Sequence, residues 1–215
     1  MNTPAAMALA ALLLTPWSFH GAKAAAEDPD LVLPPVGLEV AYDNGSVHKV
    51  EMVEEPSVFV RETTEDGQSL LHSLLGGLFR QSTVLTVAGR HVALVVTFDQ
   101  ERVLAHLPPV EGDGFQLPYE TSKQDTPFGE GVSNIHIDHA GPLRVSGVEY
   151  PTVLVAKETF VNYTNGDSER IVSREWYCPA LGLILQSETL RFDVNGSVKS
   201  RAGFRAVTLT FPASE

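Results

Sequence analysis

A single cysteine, Cys178, leaves this chain without any internal disulfide. In an oxidising compartment its fold must therefore rest on buried apolar surface. Basic residues are also scarce: 15 Lys and Arg stand against 27 Asp and Glu, for a net charge of −12. A surface of that sign repels phosphate backbones and anionic lipid headgroups, which excludes nucleic acid as a partner. The acidity fits solubility, and it favours cations or a basic partner over anionic ones. Beyond the N-terminal region no apolar run approaches the ~20 residues that span a bilayer, so no transmembrane anchor is expected in the mature chain. Catalytic signatures are missing as well. There is no G-x-S-x-G elbow, and Gly76-Gly77 lacks the Lys-Ser/Thr that would make a phosphate loop. Nothing around Cys178 marks it as a nucleophile, so it reads as a small buried apolar residue. Glu54 and Glu55 are adjacent and would face opposite ways on a strand, which is wrong for shared acid–base work. The expectation is a protein that is not an enzyme and carries no cofactor.

What the chain does contain begins with an almost wholly apolar stretch from Pro4 to Leu14, too short to cross a membrane. Small residues follow at Ala22-Lys23-Ala24 and Ala24-Ala25-Ala26, as at an export cleavage site. Residues 1–26 read as a signal peptide, although Met1-Asn2-Thr3 supplies no Lys or Arg. The plain alternative is an uncleaved Ala-rich tail. The reading implies a periplasmic or secreted bacterial protein. Cys178 lies far from the cleavage site, so no lipid is expected on an N-terminal cysteine. Residues 27–36 (EDPDLVLPPV) form a proline-punctuated linker, and 37–212 a single β-rich domain.

Within that domain strand patterns dominate. GLEVAYD and SVHKVEMV alternate apolar and polar residues around Asn44-Gly45, and SVFVRET follows. VLTV and HVALVVTF flank Ala88-Gly89-Arg90. The run VALVV is apolar on both faces, which implies either a second covering layer or a sheet curled enough to enclose its own concave face. From Val148 to Phe211 three turn signals (Asn165-Gly166, Cys178 to Gly182, Asn195-Gly196) separate four strand runs. Asn-Gly supplies the two left-handed residues of a type I′ hairpin turn. Two segments break the pattern. Leu70, Leu71, Leu74, Leu75, Leu78 and Phe79 recur at helical spacing, which predicts one short capping helix at about 68–79, either plugging one end of the sheet or acting as a lid hinged at Gly76-Gly77. Residues 108–131 are rich in proline and glycine and read as a long loop, functional or disordered. The predicted fold is mainly β: a strongly curved antiparallel sheet or open half-barrel closed by that helix.

Candidate site residues follow from this picture. The concave face near Leu74, Leu78, Phe79, Trp176 and Tyr177 would hold an apolar small molecule or a partner chain. Trp176 and Tyr177 must point to opposite faces of their strand. The segment Asn134-Ile135-His136-Ile137-Asp138-His139 resembles the His-x-His-x-Asp-His motif of metallo-β-lactamase-type hydrolases. It departs from that motif in having Asn134 for the first histidine and no histidine after His139. A separate metal site at His136, Asp138 and His139 is the weaker alternative to a polar strand end.

Residues 150–187, and above all Trp176-Tyr177-Cys178-Pro179-Ala180-Leu181-Gly182, resemble the closing strands of LolA/LolB-like lipoprotein carriers and related periplasmic families. That resemblance implies an exported envelope protein whose antiparallel sheet curls around a helix and holds an acyl chain. Three functions are thus in view: a non-catalytic binding protein for an apolar ligand, an envelope assembly or structural subunit acting through protein contacts, and a metal-dependent hydrolase.

Overall fold

The computed structural model describes residues 30–213 apart from Ala88; the signal peptide proposed at 1–26 lies outside them. The strands are β1 (Glu39–Tyr42), β2 (Val47–Glu54), β3 (Ser57–Thr63), β4 (Ser69–Leu75), β5 (Phe79–Val87) and β6 (Arg90–Phe98). A five-residue helix, α1 (Gln100–Leu104), leads to β7 (Gly114–Lys123) and β8 (Thr126–His139). A small hairpin, β9 (Leu143–Val145) and β10 (Val148–Tyr150), precedes β11 (Val153–Tyr163), β12 (Ser168–Cys178), β13 (Leu183–Phe192) and β14 (Val198–Thr210). All strands except β9 and β10 join one antiparallel sheet, and β1 pairs with both β2 and β14 to shut it into a closed barrel. The expected open half-barrel is therefore corrected. The curl inferred from VALVV goes to completion, because an antiparallel sheet removes its exposed edges only by closing.

The predicted helix at 68–79 is also corrected. Ser69–Leu75 and Phe79–Val87 are paired strands, with Leu70 opposite Leu85 and His72 opposite Thr83. Tertiary pairing overrides the helical spacing of the leucines, which line a strand on both faces. Gly76 and Gly77 are its hairpin turn. Both have positive φ (+59° and +70°), and Leu78 N donates to Leu75 O at 3.2 Å, the pattern that a type I′ turn demands. The Asn-Gly loops differ. In each of the loops at 42–46, 163–167 and 193–197 only the glycine is left-handed, at φ +80°, +90° and +80°. The glycine N–H donates to the carbonyl of the first loop residue, and the first residue's N–H donates to the carbonyl of the fifth. That is a type I turn with a one-residue bulge, and Glu65-Asp66-Gly67 repeats it.

The expected long loop at 108–131 is largely strand: β7 and β8 pair through it from Gly114–His136 to Lys123–Thr126. Its glycines serve the sheet. A side chain at Gly131 would meet the Tyr119 hydroxyl at 2.7 Å, and one at Gly129 would meet the Tyr163 ring at 3.2 Å. The two tyrosines lie over bare backbone on the inner face, where the sheet bends.

Because every barrel strand reverses, the turns collect at two ends. The Asn-Gly and Asp-Gly loops rim one end. The other end carries the Gly76-Gly77 turn, α1, the β9–β10 hairpin and both chain termini of the domain, and it is filled. There Val103 of α1 and Leu107 pack with Leu75, Leu78, Phe79, Leu117, Ile135, Val155 and Tyr177. Val145 and Leu143 of the small hairpin, with Leu33 and Leu38 of the entering segment, pack with Val40, Val60, Cys178, Leu183 and Leu185. Asp99 caps α1 by accepting from Arg102 N at 3.0 Å. A helix does plug the barrel, but it is α1 and not residues 68–79.

Candidate functional site

Strand alternation and register divide the wall into two faces. The outer face is polar and charged. Glu39, Lys49 and Arg61 lie side by side across three strands, with Lys49–Glu39 and Arg61–Glu51 ion pairs at 2.8 Å, and Arg170 pairs with Glu158 at 2.6 Å. The inner face begins apolar at the plugged end and becomes polar towards the open one.

At the plugged end the walls touch. Tyr177 donates its hydroxyl to Gly76 O at 3.1 Å, and Tyr42 donates to Ile184 O at 3.0 Å. On the β14–β1–β2 side Tyr42, His48 and Phe204 form an edge-to-face cluster with ring centroids 4.5 to 5.7 Å apart. They leave a void of only about 40 Å³. The β5–β8 and β11 side is different. A cavity of about 200 Å³ lies there, with Phe79, Phe98, Leu117 and Ile135 as its apolar wall and Arg80, Lys157, Tyr119 and Ser133 as its polar groups.

Arg80 defines this cavity. Its register partner is Leu74, on the inner face. It retains an exposed surface, yet surrounding protein lowers its pKa, with Glu175 and Glu62 acting against that and Arg191 with it. Arg80 is exposed and lines the cavity. Arg80 makes no ion pair within 4.0 Å among the described residues. Lys157, by contrast, is bonded to Glu175 at 2.5 Å and sits 4.7 Å above the Phe79 ring, reaching across the lumen from β11 to β5. Burial raises the pKa of the Tyr119 hydroxyl to about 12, so it stays protonated and able to donate.

Two more polar groups line the lumen. Glu62 accepts from His72 Nε2 at 2.8 Å, and Thr83 lies 2.9 Å from His72 Nδ1. The carboxylate can only accept, so neutral His72 donates to it from Nε2 and accepts the Thr83 hydroxyl on Nδ1. His48 Nε2 stands 3.8 Å from the same carboxylate and is otherwise unpartnered. Nearer the rim Glu169 accepts from Lys199 at 2.6 Å, Tyr163 at 3.0 Å and Arg191 at 3.3 Å. The Thr83–His72–Glu62 chain has the order of a nucleophilic triad, but its hydrogen bonds are all used within it and neither cavity is lined by Thr83.

The residues proposed from sequence scatter over this plan. Phe79 lines the 200 Å³ cavity. Leu74 borders the small void beside His48. Leu78 and Tyr177 are core residues of the plugged end. Trp176 pairs with Gln186 and Leu154 on the outer wall, away from the other four. The metal candidates do not converge: His136 and Asp138 share the outer face, while His139 takes the opposite one and bonds Glu111 at 3.1 Å in the open. Among the described residues no three His, Cys, Asp or Glu side chains are grouped to hold a metal ion. Sequence reasoning missed Arg80, Lys157 and Glu175. For Lys157 a signal was present, since Val153, Val155, Lys157, Thr159 and Val161 share one face and a lone lysine interrupts it.

No protein-family model matches the chain, and no curated protein matches it. Among solved structures it is similar to the hypothetical lipoprotein YmcC of Escherichia coli K12. The identity is 14%, the TM-score 0.48, and the match covers 83% of this chain and 84% of that one. A score at that level carries no argument about function, and the LolA/LolB-like resemblance of residues 150–187 gains no support from it.

Larger hollows, of about 540 and 400 Å³, lie against the outer wall around Thr97, Glu120, Glu130 and Asn162. They are open grooves over paired strands. Glu120 and Glu130 face each other directly across them.

Proposed function

We propose that this protein is an exported, non-catalytic binding protein that holds a small molecule with an apolar body inside its barrel. The observation that carries the reading is the asymmetry of the lumen: one side is filled by Tyr42, His48 and Phe204, the other is hollow and walled by Phe79, Phe98, Leu117 and Ile135. Close-packed interiors leave few voids larger than a water molecule, and an apolar hollow with a few convergent polar groups is the usual form of a ligand site. At about 200 Å³ it is smaller than the 300–1,000 Å³ of typical drug-sized sites. It suits a short chain or a single ring entering from the Asn-Gly rim, since the other end is plugged. The apolar-leader pattern of residues 4–26 supports export. A second reading, an envelope assembly subunit, is favoured by Phe128, Val132 and Phe160 standing exposed on the outer wall.

The test is calorimetric titration with octan-1-ol, alongside native mass spectrometry of the freshly purified protein for a co-purified small molecule. Binding that is lost when Val96, a cavity wall residue, is replaced by Phe with the fold intact supports the lumenal site. A wild-type protein that takes up no octanol and carries nothing from the cell removes it and leaves the assembly reading.

A further inference from the structure

We infer that the lumenal ligand is an amphiphile with an anionic head, a carboxylate or an equivalent oxyanion, bound by Arg80 above the apolar wall. This rests on the lumenal reading above and adds the chemical class of the ligand.

The argument is one of charge placement. The protein as a whole is strongly acidic, yet the two charged residues that line the cavity, Arg80 and Lys157, are both cations. Lys157 already has its counter-charge in Glu175 at 2.5 Å. Arg80 has none within ion-pair distance among the described residues, although it lies in a lumen that also holds Glu62 and Glu175. An exposed guanidinium that lines the cavity without an acid partner has its N–H donors free for water or for a ligand. Its planar fork presents parallel N–H donors that match a carboxylate in two bonds at once. The polar groups beside it suit the same head. The Tyr119 hydroxyl remains protonated, and Ser133 offers a second hydroxyl on the adjoining strand, although that one already lies 2.8 Å from the Thr159 hydroxyl. Phe79 and Phe98 then face the carbon body. At ~30 Å³ for each water-sized group, the cavity takes about seven, so the chain that it accommodates is short or only its head end is enclosed.

Three eight-carbon probes test this by titration calorimetry at neutral pH: octanoate, octan-1-ol and octylammonium. Octanoate is expected to bind the wild-type protein at least tenfold more tightly than octan-1-ol, and octylammonium more weakly than either. Arg80→Gln erases the preference for octanoate while leaving octan-1-ol affinity within about twofold, and Arg80→Lys restores part of it. Arg170→Gln, on the outer wall, changes nothing. Equal binding of octanoate and octan-1-ol, or a preference that survives Arg80→Gln, overturns the anionic head but leaves the lumenal site standing. Failure of all three probes to bind overturns both. A thermal melt of each variant accompanies the titration, so that loss of fold is not read as loss of binding.

Discussion

Glu62 and His72 show how a single buried acceptor orders its neighbours. The nearby His48 ring, 3.8 Å away, and the 2.8 Å hydrogen bond from His72 hold the Glu62 carboxyl far below its ordinary value of 4.5. Burial is the largest influence on His72 and holds it below its ordinary 6.5. Both shifts act in one direction. A group whose pKa is depressed by folding adds stability above its unfolded pKa and loses it as the pH falls. Stability is therefore expected to begin to decline as the pH drops below about 6.5, from His72, and to fall further below about 4.5, from Glu62. Urea titrations between pH 8 and 3 read this directly. Glu62→Gln keeps the shape but removes the charge, and is expected to cost about 2 kcal/mol at neutral pH and to flatten the acid limb. A limb that is unchanged in the variant would show that other carboxyls set it.

Cys178 illustrates the opposite case, a reactive group made inert. It is fully buried in the plugged end, and burial raises its thiol pKa. The native protein is expected to leave a chromogenic disulfide reagent unreacted over an hour at pH 8, and the urea-unfolded chain to react at once. Its sequence context already suggested a small apolar residue. The position of Arg80 was not legible in the same way. A bulge between Ser73 and Leu74 resets the β4–β5 register, and only the paired structure reveals which way the following arginine points.

At the scale of elements, the hairpins and the plug bear different loads. Three Asn-Gly turns and one Asp-Gly turn were readable because turn chemistry is local. Their detailed type was not, because flanking pairing selects a bulged loop over a two-residue one. Gly76-Gly77 reads from sequence as a hinge within a helix at 68–79 for the same reason: its demand for positive φ is visible only once β4 and β5 are known to pair. The tightest position is Gly77, where a Cβ would stand 1.9 Å from Gly182 O; at Gly196 nothing lies within 4 Å. Gly77→Ala is expected to destabilise by about 3 kcal/mol, from clash and left-handed strain together, and Gly196→Ala by about 1 kcal/mol from strain alone. Equal effects in chemical denaturation would refute the contrast. α1 has only five residues and no stability of its own, so it persists because Val103 is buried in the lumen mouth. Val103→Ala is expected to cost about 2 kcal/mol and to speed hydrogen exchange at Leu107, which would be no faster if α1 were not a plug.

For the whole molecule, the charge arrangement separates this barrel from those that live in lipid. Membrane barrels carry an apolar band outside and polar residues within. Here Lys49, Arg61, Glu120, Glu130, Arg170 and Arg174 occupy outward positions through the height of the wall, on β2, β3, β7, β8 and β12. Charged side chains facing hydrocarbon near the bilayer midplane cost about 2–4 kcal/mol each for Arg or Lys. The protein without residues 1–26 is therefore expected to remain in the dense aqueous fraction when mixed with phosphatidylcholine vesicles and floated on a density gradient. Co-migration with the vesicles would contradict this assignment of faces.

The amino-acid sequence alone determined that this is an antiparallel β protein built of consecutive hairpins, since alternation and Gly-containing turns act between residues that are neighbours in the chain. It also determined that Trp176 and Tyr177 face opposite ways. Only the tertiary structure decided that the sheet closes, because closure depends on Glu39 meeting Thr210 after the twist of every intervening strand has accumulated, and no local pattern records that sum. The same closure turned two residues distant in sequence, Arg80 and Lys157, towards one cavity. It made the inner face of the sheet the wall of a lumen in place of an open concave face.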